Sequence, residues 1–261
     1  MKYIFNQGNF TDVKSFLSEE SGGTFDMKIT NYTISAKIED QAYLFTDTPM
    51  SKSAFIFYKM MLKDLGGEIR PEAKNINYYD FSGIQKGDKI ENCYCVDMNS
   101  AYLMALKNEK LISNKTFSTI HSRTQKNKKL KMDRLKSVGM FASSPTIINF
   151  EQDEAIKIEN IKNPMAWVFY FACQKTTEII KSQIDENFLF YWVDGIFVRG
   201  NEKKIKKEIE KMGFPCKIEK INNLRVGEKS ILFSKDGKEK IIFLPQEKKQ
   251  VKINLENIKK I

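Results

Sequence analysis

The chain has 261 residues, of which 41% are hydrophobic and 12% aromatic, so it is too apolar to be disordered and long enough to bury a sizeable core. Its 43 Lys and Arg residues exceed its 33 Asp and Glu residues, and the formal charge of +10 favours a polyanionic partner such as nucleic acid. The longest apolar run, Met165 to Cys173, is far shorter than the roughly 20 residues of a membrane-spanning helix. The N-terminus lacks the continuous apolar segment of a signal peptide, so we expect an intracellular protein with no membrane partner.

The four cysteines fit a reducing compartment better than a disulfide framework. Cys93 and Cys95 are close in sequence, but the chain has one histidine and no second close cysteine pair. A structural zinc site is therefore not expected.

Residues 1–88 are predicted to form a small mixed α/β region. KITNYTISAKI (28–38) has the composition of a strand. Residues 50–67 have apolar side chains at helical spacing and end at a Gly-Gly breaker. A linker-like stretch, 71–89, leads to the next strand.

CYCVDMNSAYLMAL (93–106) begins as a strand and continues as a helix. Period-two alternation puts Cys93, Cys95 and Asp97 on one face, with Asp97 at the C-terminal end of the strand. Asn99 or Ser100 is the expected N-cap of a helix whose free N–H groups favour an anion. Asp97 either caps this helix or binds a cation that accompanies a phosphate.

NFLFYWVDGIFVRG (187–200) predicts a β-hairpin, because two β-rich runs meet at Asp194-Gly195. Large apolar residues flank Asp194, and an unpaired carboxylate in a buried hairpin is unfavourable. Asp194 is either a turn residue or the second ligand of a divalent cation shared with Asp97. Two carboxylates at the ends of adjacent strands form the smallest protein frame for two-metal phosphoryl transfer.

The remaining segments complete an α+β pattern. Residues 165–182 predict an apolar helix, 201–214 an amphipathic helix that stops at a glycine, and 217–221 a strand. The series strand, helix, insertion, helix, hairpin, helix, strand is typical of a ferredoxin-like (split βαβ) sheet. Many polymerases have a palm of this layout.

The sequence resembles the family B DNA polymerases, most closely the protein-primed branch found in bacteriophages and linear plasmids. The first family motif, D-x-x-S-L-Y-P, matches residues 97–103, which keep the Asp, Ser and Tyr and lose the Pro. The second motif, K-x-x-x-N-S-x-Y-G, continues in this branch as K-F-A-S-N-P. It matches residues 131–145, which keep Lys131, Gly139 and the Phe-Ala-Ser run and lose the Asn, Ser and Tyr.

The third motif, Y-x-D-T-D-S, matches residues 190–195 in a register that puts Asp194 on the second aspartate and Trp192 on the first. The alternative register puts Ile196 on the second aspartate, which is the direct metal ligand in the family, and implies an inactive protein. A downstream match at Gly200 favours the first register.

The resemblance implies roles for the residues of the first and third motifs. Asp97 and Asp194, with the Met98 carbonyl, are expected to bind two Mg²⁺ ions, for which Mn²⁺ can substitute. The backbone of Ser100 and Ala101, at the start of the helix, is expected to contact the triphosphate.

The other matched residues are expected to contact nucleotide or nucleic acid, and each also has a purely structural interpretation. Tyr102 is either a gate against the 2′-hydroxyl or an ordinary buried aromatic residue. Lys131 and Lys128 share a helix face that would neutralise the triphosphate, or they form a solvated basic face. Gly139 and Lys229, the latter in a weak match to the K-x-Y segment of this branch, are expected at the primer-template; Lys229 is otherwise a surface lysine.

The resemblance also divides the chain. The palm is predicted over 89–110 and 146–222, the small helical fingers over 111–145, and a reduced thumb over 223–261. Residues 1–88 are too few for the proofreading domain of the family and have no recognisable exonuclease signature.

We therefore predict a minimal DNA-directed DNA polymerase of a phage or mobile element, acting in the bacterial cytoplasm. It would extend primer-template or single-stranded DNA with deoxynucleoside triphosphates in short, distributive runs, helped by a replisome partner or a priming protein. One alternative is a primase that makes short primers. Another is a catalytically silent nucleic-acid-binding module, which Trp192 and the eroded second motif favour.

Overall fold

The computed structural model describes residues 10–30, 34–45, 52–70, 77–125 and 127–245. These residues contain seven α-helices and two antiparallel sheets, so the predicted α+β class is confirmed. None of the helices in these ranges has both the length and the apolar character that a membrane span requires.

The helices and strands are numbered in chain order. The helices are α1 Phe10–Ser21, α2 Lys52–Leu65, α3 Ala101–Asn108, α4 Asn114–Gln125, α5 Lys128–Gly139, α6 Ala166–Lys181 and α7 Glu202–Lys211, with a 3-10 turn at Met140–Ala142. The strands are β1 Phe25–Ile29, β2 Ile34–Ile38, β3 Gln41–Phe45, β4 Tyr79–Asp80, β5 Lys89–Met98, β6 Thr146–Glu151, β7 Glu154–Asn160, β8 Phe188–Trp192, β9 Gly195–Val198, β10 Cys216–Val226, β11 Ser230–Lys235 and β12 Lys238–Phe243.

The chain divides into two compact units, each with one of the sheets. The first contains the described residues within Met1–Ile69 and Thr119–Ala166, and the second those within Arg70–Ser118 and Trp167–Lys249.

The first unit contains a five-stranded sheet in the order β3-β2-β1-β6-β7. Alternate side chains of its strands are buried, as expected for a sheet with one solvated face, and α1 covers the buried face with Val13 and Leu17. Phe25 of β1 and Phe150 of β6 stack in this core with their ring centroids 4.7 Å apart.

Two predictions about the first unit are wrong. The single strand predicted over 28–38 is a pair, β1 and β2, joined antiparallel with Ile29 opposite Ile34. Asn31, a residue type favoured in turns, separates them in the sequence. Residues 146–160, which were predicted to belong to the palm, form β6 and β7 beside β1, because their apolar face completes the core of this unit.

The second unit contains a seven-stranded sheet in the order β12-β11-β10-β5-β9-β8-β4. The predicted helices over 165–182 and 201–214 are observed as α6 and α7. Helix α7 buries Ile205 and Ile209 and packs on β5 and β10. The predicted strand over 217–221 is the middle of the longer β10, so this sheet continues past the predicted end of the palm into β11 and β12.

Candidate functional site

The central strand β5 carries Asp97 between two neighbours. Asp97 lies directly opposite Gly195 on β9 and Lys217 on β10. Its side chain is 27% exposed, whereas the next residue, Met98, is 1% exposed. The predicted position of Asp97, at the C-terminal end of a buried strand, is confirmed.

Asp194 lies in the hairpin that joins β8 and β9. The hairpin is confirmed, but Trp192 pairs with Gly195, so its two central residues are Val193 and Asp194 and not the predicted Asp194-Gly195. The Asp194 carbonyl accepts a hydrogen bond of 3.0 Å from the Met98 N–H. The turn is thereby attached to the end of β5, next to Asp97.

Gly195 explains how closely this turn approaches β5. A Cβ atom at Gly195 would lie only 3.1 Å from Cys95 Sγ, so the thiol would have to shift, and it would be in ordinary contact with Asp97 Oδ1 at 3.8 Å. Strand alternation turns Ile196 to the opposite face, where it is completely buried. The turn therefore presents Asp194, and not Ile196, on the side of Asp97.

Asp97 and Asp194 line the same cavity, which has a volume of about 240 Å³. Glu219 supplies a third carboxylate, and lysines supply the opposite charge. The complete lining is Cys95, Asp97, Trp192, Asp194, Gly195, Phe197, Lys217, Glu219, Ile221, Phe233, Lys235 and Lys240.

The three carboxylates also surround the thiol of Cys95. Burial raises the pKa of Cys95 well above its ordinary value, and the negative charges of Asp97, Glu219 and Asp194 raise it further. Cys95 is therefore a neutral, buried thiol next to an acidic cluster. The expectation that the cysteines form no structural zinc site stays a prediction.

A chain of ion pairs crosses the cavity floor. Lys217 Nζ lies 3.0 Å from Asp97 Oδ2 and 2.6 Å from Glu219 Oε1, while Lys235 Nζ lies 2.5 Å from Glu219 Oε2. Burial lowers the Lys217 pKa, but its hydrogen bonds to Glu219 and Asp97 outweigh burial and raise that pKa. Burial raises the Glu219 pKa, but its bonds to both lysines outweigh burial and lower that pKa.

Sequence reasoning missed Glu219 and Lys217 as members of the site. The strand that carries them was predicted, and its alternation puts both on one face. The missing information was the register, which places Lys217 opposite Asp97 and Glu219 opposite Cys95. Register across a sheet depends on pairs distant in sequence, so the local pattern did not reveal it.

Trp192 is the residue that the predicted register of the third motif aligns with the first aspartate. Its ring lies 5.9 Å from that of Tyr79 and 6.1 Å from that of Phe81, so it belongs to an aromatic cluster at the edge of the sheet. The same side chain lines the cavity. Trp192 thus gives the cavity an aromatic, largely apolar wall beside Asp194.

The helix that follows Asp97 begins as predicted. Ser100 is the N-cap of α3, but its backbone is left-handed, with φ 61°, and its hydroxyl makes no capping hydrogen bond. The predicted N-cap position is therefore confirmed, but the Ser100 hydroxyl does not cap the helix, because side-chain capping needs an extended backbone. Ala101, the first residue of α3, is 2% exposed.

Tyr102 is held at its ring and at its hydroxyl. Its ring packs edge-on against Phe169 at 5.8 Å, and its hydroxyl donates a hydrogen bond to Cys173, as does the hydroxyl of Tyr78. Burial and then Cys173 raise the Tyr102 pKa, and the nearby charge of Asp194 adds to this effect. Tyr102 is a fixed, neutral side chain close to Asp194.

The remaining predicted site residues whose side chains the structure describes do not line the cavity that contains Asp97 and Asp194. Lys131 and Gly139 belong to α5 in the first unit, where Lys131 is exposed and Gly139 has an ordinary helical φ of −61°. The side chain of Lys128 lies outside the described part of the chain. Lys229 is exposed in the turn between β10 and β11.

The donor set of the cavity suits a hard divalent cation, because Asp97 and Asp194 both line it with carboxylate side chains. Among the residues that the structure describes, no three His, Cys, Asp or Glu side chains converge into a ready metal cage. A cation would therefore take the remainder of its ligands from water, backbone or substrate, as Mg²⁺ commonly does.

Comparison with known proteins adds no assignment: no protein-family model matches the sequence, and no curated protein is detectably similar to it. The functional interpretation therefore depends on the residues of the cavity and on their geometry.

Proposed function

We propose that this protein is a template-directed nucleotidyltransferase, a minimal DNA polymerase that extends a primer with deoxynucleoside triphosphates. One observation supports the proposal above all others. Asp97 and Asp194, far apart in the sequence, lie at adjoining ends of β5 and the β8–β9 hairpin and line a single cavity. Two-metal phosphoryl transfer uses carboxylates that distant parts of a chain bring to one site, so this shared cavity supports the proposal.

The topology around the cavity supports a polymerase palm of the ferredoxin-like type. Strands β10, β5, β9 and β8 are neighbours in that order, and along the chain they occur as β5, β8, β9 and β10. Helix α6 directly precedes β8 after a long insertion that includes β6 and β7, and α7 connects β9 to β10. A split βαβ fold has this order. In the proposal, α4 and α5 correspond to the fingers and β11 and β12 to a reduced thumb.

In the proposed reaction, the primer 3′-oxygen bonds to the α-phosphorus of the incoming nucleotide. The bond between the α-phosphorus and the bridging oxygen breaks, pyrophosphate leaves, and the proton of the 3′-hydroxyl passes to solvent. Asp97, Asp194 and the Met98 carbonyl would hold two Mg²⁺ ions. When bound, these ions would lower the pKa of the 3′-hydroxyl and neutralise the triphosphate.

The other residues of the chain position the substrate. The N–H groups at the start of α3, from Ser100 to Tyr102, are aligned donors for triphosphate oxygens. The ring of Tyr102 is fixed by Phe169 and Cys173, so it can reject a sugar that carries a 2′-hydroxyl. In the proposal, the nucleotide and the template contact Lys128, Lys131 and Gly139, and the primer-template backbone contacts Lys229.

A second function, a catalytically silent module that binds nucleic acid, is favoured by the ion pair at Asp97. Lys217 places a positive charge 3.0 Å from Asp97 Oδ2, where a metal ion would otherwise lie. Trp192 adds to this case, because it removes a carboxylate from the third motif. In that function the net charge of +10 would attract DNA without catalysis.

Primer extension in Mg²⁺ or Mn²⁺ separates these functions. The wild type should extend a labelled primer, and Asp97→Asn and Asp194→Asn should each abolish extension. Glu178→Gln is the matched control, because it removes one carboxylate from the exposed face of α6 and should leave extension unchanged. Product without a primer would identify a primase instead. Tight DNA binding without extension, or equal extension by the aspartate variants, would leave only the silent module.

A further inference from the structure

Lys217 bridges two carboxylates of the acidic cavity. It lies directly opposite Asp97 in the sheet, and its ammonium contacts Asp97 at 3.0 Å and Glu219 at 2.6 Å. Glu219 is the more deeply buried partner, with 16% of its side chain exposed against 27% for Asp97. Lys235 binds the other oxygen of Glu219 and so fixes its position.

A divalent cation and the Lys217 ammonium cannot occupy the same side of Asp97 together. Both would lie within about 4 Å of one carboxylate oxygen, and like charges at that separation repel strongly even in a polar medium. A cation that binds Asp97 Oδ2 must therefore displace Lys217, and one that binds Oδ1 is still repelled by the ammonium. The displaced ammonium does not have to become fully solvated, because its second ion pair, with Glu219, can persist.

We propose that Lys217 is a tethered counter-ion that competes with divalent cations for Asp97, and that Glu219 is the positioning residue that retains Lys217 when a cation binds. The inference rests on the proposed function in requiring a cation at Asp97. It goes beyond that function by assigning a resident competitor and its alternative partner. Lys217 would keep Asp97 neutralised until a cation arrives, and it would weaken the affinity of the site for cations.

Trp192 provides a direct readout of cation binding. It lines the same cavity as Asp97 and Asp194, so excitation of its indole should sensitise the luminescence of Tb³⁺, an oxygen-seeking cation. The second tryptophan, Trp167, is buried and lies against Arg70. The Trp192→Phe variant would measure the luminescence that Trp167 alone sensitises, which should be small. Displacement of Tb³⁺ by Mg²⁺ or Mn²⁺ would then report the affinity for those ions.

The decisive comparison is between Lys217→Met and Lys220→Met. Both remove one positive charge from β10, but Lys220 is exposed and alternates to the other face. Lys217→Met should raise the affinity for Tb³⁺ and Mg²⁺ roughly tenfold, as expected when a like charge close to the ion is removed. Lys220→Met should change it by less than about twofold, and Lys217→Arg should keep the affinity near that of the wild type.

The role of Glu219 requires a double-mutant cycle. Glu219→Gln removes both a negative charge and the alternative partner of Lys217, so it should lower cation affinity more in the wild type than in the Lys217→Met background. An equal decrease in both backgrounds would overturn the assignment of Glu219 as the residue that retains Lys217.

Failure of this inference and failure of the proposed function give different results. Loss of luminescence in Asp97→Asn together with equal affinities for Lys217→Met and Lys220→Met would overturn the competitor role alone. Unchanged luminescence in Asp97→Asn would overturn the cation site itself. Thermal unfolding of every variant checks that it is folded. If Lys217→Met is unfolded, the comparison of Lys217→Gln with Lys217→Arg replaces it, and Lys217→Gln should show the higher cation affinity.

Discussion

The protein should be more stable with glycine than with alanine at position 193, which is the reverse of the usual order for these two residues. Val193 is the first central residue of the β8–β9 turn, and its φ of 58° lies in the left-handed region. Two-residue hairpins favour glycine at this position, because a Cβ atom there meets the backbone. The N–H of Val193 donates a hydrogen bond of 2.7 Å to the Tyr78 carbonyl, which holds the residue in this conformation.

The expected magnitude follows from two opposing terms. A left-handed backbone costs a residue with a Cβ atom roughly 1–2 kcal/mol, which glycine avoids. Glycine lowers the free energy of unfolding by roughly 0.5–1 kcal/mol relative to alanine, because it makes the unfolded chain more flexible. The free energy of unfolding of Val193→Gly should therefore be about 1 kcal/mol higher than that of Val193→Ala. Because both variants lack the valine methyl groups, loss of those groups does not contribute to this difference.

Urea denaturation followed by circular dichroism measures this difference. A matched pair at Lys229, an exposed turn residue of the same unit that is absent from the positive φ positions, should show the ordinary order with alanine at least as stable. If Val193→Ala proved as stable as Val193→Gly, the turn would carry no strain of this size. The same two variants in primer extension would show whether a relaxed turn still presents Asp194.

Three further predictions concern the neighbours of the turn. Because the Glu219 pKa is lowered from 4.5 by folding, its contribution to stability is present above that pH and is lost as the pH falls below it. Unfolding free energies measured from pH 7 to pH 3 should therefore decline less in Glu219→Gln than in the wild type. Tyr102→Ala should relax the preference for deoxynucleotides in primer extension, whereas Tyr102→Phe, which keeps the ring, should retain it; an unchanged preference in Tyr102→Ala would remove the proposed gate. Lys229→Gln should lower the salt dependence of DNA binding, with the slope of log affinity against log salt falling by about 1, and an unchanged slope would show that Lys229 touches no phosphate.

Features that depend on a local pattern were predictable from the sequence. Helices α2, α6 and α7 were expected within a few residues of their observed ends, since apolar spacing and glycine stops are local signals. The positions of Asp97 and Asp194 at the ends of neighbouring β segments also followed from alternation and from the hairpin signal. These are the residues on which the candidate site depends.

Features that depend on pairing between distant segments were not predictable. The alternating pattern of β6 fits either sheet, and its pairing with β1 and the packing of Phe150 on Phe25 show that it completes the first. The position of Lys217 opposite Asp97 required the register of β5 against β10. The turn at Val193 was displaced by one residue from the expected centre, because a β-branched residue with positive φ is unusual and no propensity anticipates it.

The arrangement of the five-stranded sheet limits how the protein can be shortened. Strands β1, β2 and β3 come from the start of the chain, yet β1 pairs along its length with β6, which lies about 120 residues downstream. Deletion of the N-terminal segment would leave the backbone groups of β6 that face β1 without partners, while those that face β7 stay paired, and it would expose the apolar side chains that α1 covers. Such a fragment should aggregate through the exposed edge of β6, so a shorter version of the protein has to be sought by shortening loops and not by removing the N-terminal segment.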